Sequence, residues 1–140
     1  MSTSKITYLG ELRTKAIHLA SQQEIITDAP IDNQGKGEAF SPTDLVATAL
    51  GSCMLTIIGI KLQSMHKDII GATVEIDKIM YDSPRRIGEI HVQLMLPDNN
   101  FKEKEKQIII QAAHTCPVAK SLHPDIKQEI KIEFIKPSLR

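Results

Sequence analysis

Ser41-Pro42-Thr43-Asp44-Leu45-Val46-Ala47-Thr48-Ala49-Leu50-Gly51-Ser52-Cys53-Met54 is the stretch whose reading settles the rest of the chain. Ser41 suits an N-cap, Pro42 the first helical position, and Asp44 the first turn, where a carboxylate meets the positive end of the helix dipole. A helix is therefore expected from here to about Ser64. Val46, Ala49, Leu50, Cys53, Ile57 and Ile60 recur at three- and four-residue spacing, and Leu45, Met54, Ile58 and Leu62 widen the apolar arc beyond one stripe. Such a helix should be covered nearly all round. Its uncharged run, Leu45 to Ile60, has 16 residues, which is short for a bilayer span.

Working outward, Asp28 to Phe40 holds Pro30, Asn33, Gly35 and Gly37 and reads as a loop. Before it, Lys5 to Leu19 and Glu24 to Thr27 read as an antiparallel hairpin turning at Ser21-Gln22-Gln23. After the helix, Thr73 to Tyr81 and Arg86 to Leu96 read as strands with a turn at Ser83-Pro84. The second puts Ile90, Val92, Leu94 and Leu96 on one face and Glu89, His91, Gln93 and Met95 on the other. Phe101 to His114 is helical in pattern. Pro117 ends it and starts a short segment to Leu122, which leaves Cys116 as that segment's N-cap. Gln128 to Ile135 alternates as a closing strand. The order is that of an α+β chain, and 140 residues fit a single domain, 1–140.

Seventeen basic and seventeen acidic residues cancel, so the phosphate attraction that drives nucleic-acid binding has no source here. The opening Met-Ser-Thr-Ser-Lys lacks the apolar core of an export signal, and the expectation is a cytoplasmic protein with no membrane partner. In a reducing compartment, two cysteines are core residues or reactive thiols before they are a structural disulfide.

Cys53, mid-helix on an apolar segment, reads by itself first as a buried structural thiol and only second as a reactive one. Cys116 sits where unpaired amides favour a thiolate. If the two meet, a specific chemistry opens: a thiolate attacks a peroxide O–O bond, becomes a sulfenic acid, and is converted to a disulfide by the second thiol. A cation near the first thiol would assist, and arginine keeps its charge when partly buried. Of the arginines at 13, 85, 86 and 140, only Arg13 lies in the apolar opening strands. The histidines raise a metal reading around His114, Cys116 and His123. A structural zinc site wants four ligands, however, and no CxxC or HxxxH pair is present, so no metal or cofactor is expected. No hydrolase signature surrounds either cysteine.

Phe40 to Met54 together with His114-Thr115-Cys116-Pro117-Val118-Ala119, the opening Gly10-Glu11-Leu12-Arg13-Thr14 and Thr27-Asp28-Ala29-Pro30 resemble the OsmC/Ohr family, the osmotically inducible protein C and organic hydroperoxide resistance proteins. The likeness runs over essentially the whole chain. It implies antiparallel sheets packed around two central cysteine-bearing helices in an intertwined homodimer, with each active site at the dimer interface. It also implies a thiol peroxidase acting on organic hydroperoxides, with Cys53 peroxidatic, Cys116 resolving, and electrons from a small dithiol, often a dihydrolipoyl group. The better-studied branches carry a glutamate directly after the helix-starting proline, where this chain has Thr43, and one branch carries a loop arginine that Asp28 to Phe40 lacks. Arg13 as polarising cation and Asp44 as orienting or capping carboxylate are the expected stand-ins. The other class compatible with these departures is a dimeric stress-related binding protein of the same fold with idle thiols.

Overall fold

The structure is a computed structural model and describes residues 1–136; Arg140 lies outside them. The chain forms two compact units, Met1–Val46 and Ala47–Arg140.

The first unit is a three-stranded antiparallel sheet in the order β1 (Ser4–Gly10), β2 (Arg13–His18), β3 (Glu24–Asp28). The stretch expected as one arm of a hairpin is two strands. Gly10 pairs with Arg13, and the two residues between them, Glu11 and Leu12, have φ of 53° and 62°. That is the left-handed geometry a two-residue hairpin requires, filled by Glu-Leu instead of the usual Asn-Gly. The Tyr8 hydroxyl accepts the Leu12 N–H at 3.1 Å and helps to hold the bend. Past β3, a 3-10 turn at Ile31–Asn33 breaks the expected loop. No apolar side chain of this unit is buried; only Thr27, Asp28 and Ser41 are, while Ile6, Tyr8, Leu9, Ile25 and Phe40 are each at least half exposed.

Helix α1 (Pro42–Gln63) starts as its sequence requires. Ser41 Oγ accepts the Asp44 N–H at 3.0 Å and Asp44 Oδ2 accepts the Ser41 N–H at 3.0 Å, so two otherwise orphan donors are satisfied reciprocally. The helix is not covered all round. Ala47, Leu50, Gly51, Met54, Ile58 and Leu62 are buried, whereas Val46 and Ile60 are exposed. At 22 residues, α1 is long and apolar enough to reach across a bilayer by length and composition alone, more than its uncharged core implied.

In the second unit, β4 (Thr73–Tyr81) and β5 (Arg86–Pro97) pair antiparallel, and β6 (Lys127–Ile135) joins β5 parallel, a direction that alternation in a sequence does not encode. The parallel pairing follows from the connection: α2 (Glu103–His114) and α3 (Pro117–Ser121) carry the chain back before β6 begins. Ile90, Val92, Leu94 and Leu96 of β5 form one buried cluster with Leu50, Met54, Ile58 and Leu62 of α1, Ile109, Ala112 and Ala113 of α2, and Cys116. Gly51 lets α1 close on β4: a Cβ there would stand 2.9 Å from Ile76 Cδ1.

Candidate active site

The expected site residues fall into two sets. The thiols belong to the second unit. Cys53 lies midway along α1, half-buried against the core. Cys116 is wholly buried at the N-cap of α3, in extended backbone at φ −64° and ψ 152°, because Pro117 excludes helical geometry from the residue before it. Both are free thiols, and Cys53 packs against the buried cluster that contains Cys116. Two cysteines far apart in sequence are thus brought together by packing α1 and the α2–α3 junction into one cluster.

Their electrostatics differ from the sequence-based view. Burial pushes the Cys116 thiol above its ordinary range, the adjacent Cys53 pushes it further, and the Ala119 N–H, which Sγ accepts at 3.4 Å, only partly opposes both. A five-residue helix aligns few peptide dipoles, so desolvation outweighs its N-terminus. Cys116 is therefore a protonated thiol at neutral pH. That form suits a group that waits for an electrophilic sulfur, not one that strikes first.

Arg13 and Asp44 belong to the first unit. The Arg13 fork grips Asp28, with Nε donating to Oδ1 at 2.7 Å and Nη2 to Oδ2 at 2.9 Å, and Nη2 also reaches Glu38 Oε1 at 3.3 Å. Asp28 is fully buried and accepts a third hydrogen bond from the Glu38 N–H at 3.1 Å. The guanidinium holds the Asp28 carboxyl below the usual carboxylate range, against the opposing effect of burial. Asp44 carries the helix cap described above. The carboxylates seated on Arg13 are Asp28 and Glu38, both from the segment expected to be a loop; Asp28 faces Arg13 directly across the β2–β3 ladder, a register no single strand reveals.

Of the residues in the metal reading, Cys116 is buried while His114 and His123 are exposed, and His123 Nδ1 accepts the Asp125 N–H at 3.0 Å.

The OsmC-like protein family matches residues 35–131. The chain belongs to this OsmC-like family. Among solved structures, a Psychrobacter arcticus protein assigned provisionally to the osmotic stress induced and detoxification response is 59% identical. That match covers 95% of this chain and 96% of that one, with a TM-score of 0.90. The organic hydroperoxide resistance protein OsmC of Legionella pneumophila is 15% identical over 94% and 97% of the two chains, TM-score 0.68. The organic hydroperoxide resistance protein OhrB of Bacillus subtilis is 16% identical over 94% and 98%, TM-score 0.65. These two share the OsmC-like fold with this chain. No protein of curated function matches the sequence.

Proposed function

We propose that this OsmC-like protein is a thiol-dependent peroxidase that reduces organic hydroperoxides in the cytoplasm, its two units working as one domain. The observation that carries this reading is the packing of Cys53 against the cluster in which Cys116 lies buried. The Cys53 thiolate attacks the peroxide oxygen, the O–O bond breaks, and the leaving alkoxide takes a proton to depart as alcohol. Cys53 is left as a sulfenic acid. The Cys116 thiol then attacks that sulfur, releasing water and forming a Cys53–Cys116 disulfide. A small dithiol of dihydrolipoyl type reduces the disulfide and becomes oxidised itself. Arg13, fixed by Asp28 and Glu38, serves as the cation that stabilises the developing oxyanion. The names of the hydroperoxide resistance relatives support the substrate class.

A homodimer belongs to the same reading. The first unit buries none of its own apolar side chains, and α1 leaves Val46 and Ile60 uncovered, so a second copy supplies the missing cover and completes each site at the interface. Polar Thr48, Ser52 and Thr56, which line a depression on α1 with Val74 and Ile76, suit a protein partner better than lipid.

The test is consumption of cumene hydroperoxide by the purified protein with dihydrolipoamide as reductant. Turnover that disappears in Cys53→Ser is the expected result. Equal rates for the wild type and that variant would sink the peroxidase and leave the stress-related binding protein as the function of this fold.

A further inference from the structure

On the face of β5 opposite the core, three side chains converge that the thiol chemistry does not use. His91 Nε2 stands 2.9 Å from Glu89 Oε1 and 3.3 Å from Glu129 Oε2. All three ligand atoms lie within 4.8 Å of one another, and each side chain is half-buried. We propose that Glu89, His91 and Glu129 form a binding site for a divalent transition-metal ion, with zinc as the ion that this nitrogen and oxygen set suits.

The register builds the cluster. His91 is paired with Asp77 on β4 and with Glu129 on β6, so a carboxylate flanks it on either side, and Glu89 precedes it by two residues on the same face. More telling is how the carboxylates are held. The Tyr81 hydroxyl donates to Glu89 Oε2 at 2.6 Å, and Lys127 Nζ donates to Glu129 Oε1 at 3.0 Å. In both residues the oxygen turned to His91 is the other one, so each carboxylate is anchored through one oxygen and presents its second to a common point. Outer donors that orient ligands in this way are the usual second layer of a metal centre. Tyr81 reaches Glu89 because its ring lies over Gly88, where a Cβ would meet ring carbons at 2.2 Å.

The distances fit. Zinc bonds of about 2.0–2.2 Å in tetrahedral geometry place ligand atoms roughly 3.3–3.6 Å apart, so the 3.3 Å His91–Glu129 edge is already right, the 2.9 Å His91–Glu89 edge opens by a few tenths of an ångström, and the edge between the two carboxylate oxygens, within 4.8 Å, is set by small rotations of their side chains. Three protein ligands leave a fourth position open toward the groove of about 230 Å³ that Glu75, Asp77 and Gln93 help to line. A bound ion would tie β6 to β5. The rival occupant is a proton alone, giving an imidazolium between two carboxylates.

The probe is zinc chloride titrated calorimetrically into the full chain carrying Cys53→Ser and Cys116→Ser, which removes thiol binding and makes the result independent of the peroxidase reading. One equivalent per chain is expected, with a thermal midpoint that rises with zinc. In the same background His91→Gln should weaken binding about 100-fold or more and Tyr81→Phe about 10-fold, the latter through loss of ligand orientation. Circular dichroism verifies that each variant is folded. Histidine ring nitrogen spectra of the same doubly substituted chain give a second reading: His91 alone should respond to one equivalent of zinc. No saturable binding, binding indifferent to His91→Gln, or a response at another histidine overturns the site.

Discussion

Arg13 and Asp28 meet edge to edge across the β2–β3 ladder, Nε to Oδ1 at 2.7 Å and Nη2 to Oδ2 at 2.9 Å, with Asp28 fully buried and Arg13 partly exposed. A bidentate grip fixes the plane of the guanidinium as well as its position, which a single contact to a lysine ammonium cannot do. Arg13→Lys retains the charge but loses the fork. Peroxide turnover is expected to fall about 100-fold, the scale of losing one oriented oxyanion donor. Steady-state kinetics that separate kcat from KM check this, and an unchanged kcat would remove Arg13 from the reaction.

The same pair sets an acid limit. The folded-state pKa of Asp28 is lowered, so its stabilising contribution is present above the unfolded value of about 3.9 and is lost as pH falls through the lower folded value. Asp28→Asn should therefore be less stable than wild type at pH 7, and the gap between the two should close as pH drops below about 4. Thermal melts across pH 2–7 give the comparison. A gap that stays constant would show that the Asp28 charge is not what matters.

The two thiols should be chemically unequal. Burial keeps Cys116 protonated and inaccessible, whereas Cys53 is half-buried, so iodoacetamide at neutral pH should label Cys53 first. One equivalent of hydroperoxide should convert wild type to an intramolecular disulfide and leave Cys116→Ser as a Cys53 sulfenic acid, heavier by one oxygen. Peptide mass mapping distinguishes these species. Oxidation that begins at Cys116 would reverse the assigned roles.

Close packing of α1 on β4 sets a stability prediction. At Gly51 a Cβ would meet Ile76 Cδ1 at 2.9 Å and the Val74 methyls at 3.2 Å. Gly51→Val should cost about 1–3 kcal/mol by overpacking, and Met54→Ala, at a fully buried position, about 2–5 kcal/mol by leaving a cavity. Urea unfolding measures both.

If a second copy covers the bare apolar surface, the protein should sediment at twice the 15.6 kDa chain mass. Tyr8→Glu on β1 and Ile60→Glu on α1, at 63% and 55% exposure, should then shift it toward monomer and lower peroxidase activity in proportion. Sedimentation velocity of a wild type that is already monomeric would end the interface reading.

Local chemistry was written plainly in the chain. Ser41-Pro42-Thr43-Asp44 specifies a helix start because the cap, the proline and the acidic third position act within one turn, and the structure shows that cap. Ile90, Val92, Leu94 and Leu96 announce a half-buried strand because side chains alternate across a sheet. The Cys116-Pro117 break follows from what proline forbids, and the motifs around both cysteines marked the family. Other features depend on partners distant in sequence. Strand direction is invisible in alternation, so the parallel β5–β6 pair appears only in the folded chain. The Glu11-Leu12 hairpin turn lacks the glycine that usually signals one. Asp28 becomes the partner of Arg13, and Glu129 that of His91, through register alone. The titration of Cys116 was set by burial, which overrides the short helix whose start it caps. Caps, breaks and periodicities are short-range and survive in a string of letters, whereas register, desolvation and the meeting of two thiols are properties of the packed chain.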